Sequence, residues 1–156
     1  MYYTIIPSPV GALTIATNGQ EITALHIEGD RYFTAIPSDW TNDASQPLLQ
    51  QASAELTEYF AGKRKKFQLP LAVQGTDFQQ LVWKALQEIP LGSTTTYGNL
   101  AEKIGKPKAV RAVGTAVGKN PICIIIPCHR VLGSQGNLGG FVAGVERKEQ
   151  LLKLES

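Results

Sequence analysis

At 156 residues, with 43% hydrophobic and 18% charged side chains, the chain has the composition of an ordinary globular protein and is long enough to bury a core. No apolar run approaches the roughly 20 residues that cross a bilayer, and the N-terminus lacks the basic start and apolar centre of a signal peptide. We therefore expect neither a membrane-spanning nor a secreted protein but a cytoplasmic location, or a nuclear one in a eukaryote.

The net charge of +2 is unevenly distributed along the chain. Residues 1–75 carry five Lys/Arg and seven Asp/Glu, whereas residues 76–156 carry ten and six. Within residues 98–130 there are six basic side chains and a single acidic one. A solvated surface and a nucleic-acid-binding face both account for such a bias, and the charge pattern leaves both open.

Three short strands are predicted at the start of the chain. Alternating apolar residues in YYTII (2–6), ALTIAT (12–17) and ITALHIE (22–28) have the period of half-buried strands. The Asn18-Gly19 pair between the second and third segments is a strong hairpin signal. The pattern therefore predicts a small antiparallel sheet.

A helix is predicted to follow this sheet. Ser45 has the character of an N-cap and Pro47 of a first-turn proline, and apolar residues continue at helical spacing to Phe60. Gly, Pro and charged residues then interrupt the pattern in 62–76, which predicts a linker. We therefore expect an N-terminal lobe of residues 1–75.

Residues 76–156 predict a second lobe that is mainly helical. Thr76 and Gln79 form a capping-box pattern at the start of an amphipathic helix. A second helix is predicted to end at Gly105 and a third to start at Pro107. Two short helices joined by a tight Gly-Pro turn suggest a helix-turn-helix.

The third helix has one apolar stripe, Val110, Val113 and Val117, which is predicted to face the core. The opposite face carries Lys108, Arg111, Ala112 and Thr115. This face lacks the set of long polar side chains that reads base edges, but it suits close approach to a phosphate backbone or a narrow groove. Close packing of a small-residue helix against a neighbour explains the periodicity equally well.

A potential nucleophile, base and cation are consecutive at Cys128, His129 and Arg130, directly after an apolar run that ends at Pro127. The run predicts a buried strand that delivers the cysteine at its end. A thiol needs a nearby base, cation or dipole to act as a thiolate, and a turn after the proline could bring these groups together. A buried structural cysteine is the alternative from the triplet alone.

The other cysteine and histidine predict no chemistry. Cys123 lies inside the apolar run, and its C-x4-C spacing from Cys128 fits neither a zinc pair nor a redox C-x-x-C. His26 has no partner motif, so a structural histidine is the better interpretation. We expect no metal site and no cofactor.

Taken together, the second lobe resembles the O6-alkylguanine-DNA alkyltransferases, which remove alkyl groups from guanine in DNA. PCHRV (127–131) matches the family's active-site signature, and TTTYGNLA (94–101) matches the segment of its tyrosine. KPKAVRAVGTAVGKNP (106–121) matches the recognition helix and hinge, and GGFVAGVERKEQLLKLE (139–155) the active-site loop and closing helix. The resemblance is loose in the first lobe. It implies an α/β (α+β) fold, with a ribonuclease H-like sheet-plus-helix lobe before a winged helix-turn-helix-like lobe.

The resemblance also implies roles for five catalytic positions. Cys128 would accept the alkyl group after a relay of Glu155, His129 and a bound water makes it a thiolate. Tyr97 would protonate the departing guanine, and Asn120 would brace the turn that holds the signature. With no group to regenerate S-alkylcysteine, the reaction would be irreversible and stoichiometric.

The DNA-binding and pocket positions follow in the same way. The residues that would contact DNA are Arg111, as the finger that replaces the flipped base, with Ala112, Lys108, Thr115, Tyr97 and Arg130. The residues that would form the base pocket are Val131, Phe141, Val142 and Ala143. Val142 and Ala143 are larger than is common in the family, and Cys123 replaces a common proline, so we expect a narrower range of adducts.

The expected partner is double-stranded DNA that contains O6-alkylguanine, and O4-alkylthymine as well, bound by a monomer with little regard to sequence. A non-catalytic lesion-binding protein of the alkyltransferase-like type is the main alternative, but such relatives replace the cysteine. A winged-helix transcription factor is disfavoured by the lack of base-reading side chains.

Overall fold

The computed structural model describes residues 1–156 and begins with a four-stranded sheet. Its first three strands are β1 (Tyr2–Ile6), β2 (Leu13–Thr17) and β3 (Ile22–Ile27), and each pairs antiparallel with the next along the chain. The short β4 (Thr41–Asn42) pairs parallel with β1. The strand order is β3-β2-β1-β4. The predicted strands and hairpin are present.

The hairpin between β2 and β3 is closed by its turn residues. The Asn18 side-chain oxygen accepts the backbone N–H groups of Gln20 and Glu21 at 2.9 and 2.8 Å. Gly19 has a φ of 98°, a left-handed conformation that costs glycine little. Side chain and backbone thus both favour the turn that sets the strand register.

Helix α1 (Pro47–Phe60) packs against this sheet through Leu49, Ala52 and Leu56, which are fully buried. The predicted cap at Ser45 is wrong: the helix is preceded by Gln46, with Pro47 at its first position. The Ser45 hydroxyl instead donates to the Asp43 carboxylate at 2.5 Å. The same carboxylate accepts from Ser45 N–H at 3.0 Å, so both groups of Ser45 are used in a local turn before the helix.

The second lobe contains helices α2 (Asp77–Leu86), α3 (Tyr97–Lys103), α4 (Val110–Gly118) and α5 (Val145–Glu155), with a small parallel pair β5 (Thr95–Thr96) and β6 (Val131–Leu132). The predicted capping box is present. Gln79 N–H donates to the Thr76 hydroxyl oxygen at 3.1 Å, and Thr76 N–H donates to the Gln79 side-chain oxygen at 3.0 Å. No helix is both long and apolar enough to cross a membrane.

Helix α4 starts three residues later than predicted. Pro107 lies in a preceding turn, in which Ala109 N–H bonds to Lys106 O at 2.9 Å. Val110 is therefore at the start of the helix, where it is 40% exposed and not part of the core. Val113, Ala116 and Val117 form the buried face, and the Trp83 indole N–H from α2 bonds to Ala116 O at 2.8 Å.

The apolar run before Pro127 is buried but is not the predicted strand. Its backbone is a series of tight turns, and Ile124 has a φ of 71°, a left-handed conformation that is unusual for a β-branched residue. Only Ile122 forms a β-bridge, to Leu25 of β3. In this bridge Leu25 N–H donates to Pro121 O and Cys123 N–H donates to Leu25 O, both at 2.9 Å. The run thus joins the edge of β3 to the second lobe, and one hydrophobic core spans both lobes.

Candidate active site at Cys128

Cys128 begins a single 3₁₀ turn, Cys128–Arg130, directly after Pro127. Its side chain is almost completely buried, at 2% exposure. It lies in the wall of a cavity of about 400 Å³ that also includes Tyr97, Phe141 and Val142. A reactant must therefore enter this cavity to reach the thiol.

The surroundings lower the pKa of the Cys128 thiol. The Cys123 thiol beside it is the largest influence that lowers its pKa, and the Asn120 side chain and the Lys148 ammonium act in the same direction against the effect of burial. The pKa of Cys123 is raised, most by the same contact with Cys128. Cys123 is fully buried and does not line the cavity, so it acts on its neighbour and has no access of its own.

His129 and Glu155 form a buried pair behind the nucleophile. The His129 Nε2 and Glu155 Oε2 atoms are 2.6 Å apart, and neither side chain is more than 2% exposed. Because hydrogen bonds hold the pKa of Glu155 at about 2 despite burial, the carboxylate is ionised and accepts the proton on Nε2. Burial lowers the pKa of His129, so the ring is neutral and its Nδ1, which has no protein partner, is the basic atom.

Arg130 does not reach a DNA surface, which corrects its sequence-based assignment. The side chain is buried, and its Nε and Nη2 atoms donate to the two Glu155 oxygens at 2.8 and 2.9 Å. Its Nη1 donates to Ile89 O at 2.7 Å. The fork geometry of arginine suits this two-point grip on a carboxylate, so Arg130 fixes Glu155.

Asn120 joins the two ends of the buried run. Its Nδ2 donates to Ile126 O at 2.7 Å, and its Oδ1 accepts from Ile122 N–H at 3.0 Å. Both atoms are buried, and Cys128 N–H also bonds to Ile126 O at 2.8 Å. Asn120 thus holds the turns that position the cysteine, in line with the bracing role that the resemblance implies.

Only two of the four predicted pocket residues line the cavity. Phe141 and Val142 do, whereas the side chains of Val131 and Ala143 do not. Val131 is fully buried because it packs in the hydrophobic core, on a strand that pairs with β5. Ala143 faces a separate groove beside Arg147, whose Nη1 donates to its carbonyl at 3.1 Å.

The predicted DNA face, which α4 and the turn before it form together, is exposed. The side chains of Lys108, Arg111, Ala112 and Thr115 all lie at the surface. Thr115 belongs both to this face and to the wall of the Cys128 cavity, so the two features adjoin. The pKa of Tyr97, also in the cavity wall, is raised by burial and by the nearby Cys128, which keeps its hydroxyl protonated.

Sequence reasoning missed four residues at the site. The Tyr59 hydroxyl donates to Glu155 Oε2 at 2.5 Å from 96 residues away. Lys148 is fully buried, and its Nζ donates to Gly140 O at 3.2 Å. Arg31 and Tyr32 of the first lobe line the cavity, and Arg31 N–H bonds to Val142 O at 3.1 Å. No local motif marks these residues, since each acts through a contact that only the tertiary fold creates.

Comparison with known proteins agrees with this geometry. Residues 77–156 match the family model described as "6-O-methylguanine DNA methyltransferase, DNA binding domain", and residues 1–73 match the "6-O-methylguanine DNA methyltransferase, ribonuclease-like domain". The chain therefore belongs to the 6-O-methylguanine DNA methyltransferase family, whose two domains correspond to the two lobes.

Individual relatives are similar over nearly the whole chain. The methylated-DNA–protein-cysteine methyltransferase of Methanosarcina barkeri is 50% identical over 99% of this chain and 97% of its own length. The Haemophilus influenzae protein of the same name is 48% identical over 99% of this chain and 86% of its own. The structure of Mycobacterium tuberculosis OGT in complex with DNA superposes with a TM-score of 0.93, at 46% identity over 99% and 92% of the two chains.

Proposed function

We propose that this protein repairs DNA by direct reversal, transferring an alkyl group from O6 of guanine to Sγ of Cys128. The observation that carries the proposal is a buried nucleophile in a cavity that adjoins an exposed face formed by α4 and the turn before it, with Lys108 and Arg111 as its basic side chains. Membership of the 6-O-methylguanine DNA methyltransferase family supports the same substrate.

The depth of Cys128 implies that the damaged base leaves the duplex. A base within the stack cannot place its O6 substituent at a thiol that is 2% exposed. Flipping carries the base into the cavity at a cost of a few kcal/mol for unstacking, and Arg111 on α4 offsets this cost by filling the vacated space. Small neighbours such as Ala112 let the helix approach the minor groove.

Proton transfer to His129 activates the cysteine. Nδ1 accepts the Cys128 proton through one water molecule, and the resulting imidazolium is stabilised by Glu155 at 2.6 Å from Nε2. Asn120, Cys123 and Lys148 stabilise the thiolate. The proton thus moves away from sulfur while the negative charge that remains is held by its neighbours.

Transfer then forms one bond and breaks one. The thiolate sulfur attacks the alkyl carbon, the carbon–O6 bond breaks, and its electron pair returns to guanine. Tyr97, kept protonated by burial, supplies a proton to the ring as the base leaves. The thioether that forms has no group beside it to remove the alkyl, so each molecule acts once.

The chemistry extends to a related lesion and needs one chain. O4-alkylthymine carries the same kind of alkyl–oxygen bond on the major-groove edge of its base, and we include it as a second substrate. Nucleophile, base, carboxylate and DNA face all belong to a single chain, so we propose that the protein acts as a monomer. The presence of Cys128 favours transfer over the alternative of lesion binding without reaction.

A titration distinguishes these functions. A duplex with one radiolabelled O6-methylguanine is mixed with increasing protein, and we expect the label to move to protein with a plateau of one methyl group per molecule. Binding without movement of label would indicate a lesion-binding protein. Binding that followed sequence and ignored the lesion would indicate a transcription factor.

Arg111→Ala should impair repair of duplex DNA far more than reaction with the free O6-methylguanine base. Because the arginine acts only when a base is flipped, we expect a roughly ten- to hundredfold loss on the duplex and little change on the base. Rates on both substrates measure the effect, and Lys108→Ala, a phosphate contact, is the control with a smaller, salt-dependent loss. Equal losses on both substrates would place Arg111 in the pocket instead.

Val142→Gly should widen the range of adducts. Val142 lines the cavity whereas Ala143 does not, so only the first can crowd a benzyl group. We expect the parent to react faster with O6-methylguanine than with O6-benzylguanine, and Val142→Gly to improve the benzyl-to-methyl ratio roughly fivefold, about 1 kcal/mol. Ala143→Gly should leave the ratio unchanged. A parent that prefers benzyl, or equal shifts in both variants, would refute this pocket assignment.

A further inference from the structure

Tyr59, in helix α1 of the first lobe, contacts the carboxylate of the active site in the second. Its hydroxyl lies 2.5 Å from Glu155 Oε2, and the side chain is 2% exposed. The rings of Phe60 and Phe67 pack beside it, at centroid distances of 5.0 and 5.5 Å. The hydroxyl is therefore fixed on Glu155 and has no access to solvent.

Three donors converge on the one oxygen that bonds to the histidine. Glu155 Oε2 accepts from the Tyr59 hydroxyl at 2.5 Å, from His129 Nε2 at 2.6 Å and from Arg130 Nη2 at 2.9 Å. A carboxylate oxygen has two lone pairs, so each donor reduces the electron density available to the others. Tyr59 thereby competes directly with the imidazole for the charge of Glu155.

We propose that Tyr59 is a positioning residue that holds Glu155 Oε2 and limits how strongly this carboxylate raises the proton affinity of His129. The N-terminal lobe thus sets the pH range in which the relay can accept a proton from Cys128. This inference rests on the proposed function, in which His129 is the base.

The charged groups around His129 come from two elements, α5 and the 3₁₀ turn. Burial lowers the pKa of His129 most; Glu155 on α5 raises it, whereas Arg130 on the 3₁₀ turn and Lys148 on α5 lower it. Cys128, one residue before it, gains negative charge when it ionises. Tyr59 adds no charge, because burial and the nearby Glu155 raise its pKa and keep it a donor. Tyr59→Phe consequently removes one hydrogen bond and leaves every charge in place.

The predicted effect of Tyr59→Phe is a shift in the pH dependence of transfer. With one competitor gone, Glu155 binds the imidazole more strongly and the pKa of His129 rises. The imidazole is then protonated, and unable to act as a base, up to a higher pH. The acid limb of the pH–rate profile therefore moves to higher pH. We expect a shift of about 0.7 pH unit, equivalent to about 1 kcal/mol for one buried hydrogen bond. At pH values on the acid limb, transfer by the variant is up to about fivefold slower than transfer by the parent. At higher pH, transfer by the variant is no slower than transfer by the parent.

The experiment measures transfer from the free O6-methylguanine base between acid and alkaline pH for the parent, Tyr59→Phe and Tyr3→Phe. Tyr3 is the control, since its ring lies beside Trp40 in the first lobe and its hydroxyl is not among the groups that hydrogen-bond to Glu155. A loss by the same factor at every pH would show that Tyr59 only supports the structure, and would overturn the inference. An unmoved acid limb would overturn it as well.

A second measurement needs no substrate. The chain has only two histidines, so the ring signals of His129 and His26 can be separated by NMR with His26→Asn as the assignment variant. We expect the pKa of His129 to be higher in Tyr59→Phe than in the parent, and an equal or lower pKa would contradict the inference. If the parent transferred no alkyl group, the proposed function would fail, while this titration would still decide the role of Tyr59.

Discussion

Replacement of Cys128 by alanine should reduce alkyl transfer to background while DNA binding persists. Cys128 carries the only thiol in the cavity wall, and Cys123, Asn120 and Lys148 lower its pKa. Alanine has no sulfur with which to form the new bond. The exposed face of α4 is unaffected, so affinity for the duplex should stay within a few fold. Label transfer and gel-shift titration on the same lesion-containing duplex measure the two properties separately.

Cys123→Ala is the matched control for this variant. Cys123 is also a buried cysteine, but it has no access to the cavity and influences only the ionisation of its neighbour. Loss of that interaction is worth about 1 kcal/mol, so we expect transfer to continue with about fivefold lower rate. Recovery of the alkyl group on Cys123 would overturn the assignment of the nucleophile.

Glu155→Gln should have the second largest effect, on activity and on stability. A neutral amide cannot stabilise the imidazolium that forms when His129 accepts a proton, so we expect transfer to fall roughly a hundredfold. The same change leaves the buried Arg130 guanidinium without its anion, and breaking such a pair costs about 3–5 kcal/mol. Denaturant unfolding and single-turnover transfer measure the two losses.

The control for Glu155→Gln is Glu149→Gln on the same helix. Glu149 is about half exposed and pairs with Lys153 at 3.2 Å, so its loss should change the free energy of unfolding by less than about 0.5 kcal/mol. Similar losses in the two variants would mean that α5 is sensitive to any change of charge. That result would contradict the role given to the buried pair.

Acid stability provides a further check on Glu155. Its pKa falls from 4.5 to about 2 on folding, so the carboxylate contributes stability that is fully present above pH 4.5 and is lost as the pH falls towards 2. The shift corresponds to about 3 kcal/mol. Glu155→Gln should therefore flatten the pH dependence of unfolding in this range, and an unchanged slope would show that other carboxylates cause it.

Local features of the fold were predictable because their signals are local. The Asn18-Gly19 turn and the Thr76–Gln79 capping box each depend on contacts between residues a few positions apart, and both form as expected. The apolar run before Pro127 misled the prediction because burial and strand structure share the same composition. Its turns depend on Asn120 and on the edge of β3, which the run itself does not encode.

The candidate site was predictable only in part for the same physical reason. The PCHRV segment and Glu155 are brought together by the closing helix, as the resemblance implied, but a motif does not say which side of a turn faces the core. Arg130 was therefore interpreted as a surface cation that contacts DNA. In the structure it is buried and paired with the Glu155 carboxylate. The hydrogen bond of Tyr59 to Glu155 could not be predicted from the sequence, since the two residues are 96 positions apart and lie in different lobes.

One alkyl group from O6 of guanine should become covalently bound to Cys128, once per molecule. Incubation of the protein with a duplex that contains one O6-methylguanine, followed by intact-mass and peptide-mass analysis, measures this transfer. We expect a single hydrogen to be replaced by a methyl group, the modification to map to Cys128, and excess duplex to add no second group. An unchanged mass after the lesion has been bound, or a methyl group on any other residue, would contradict it.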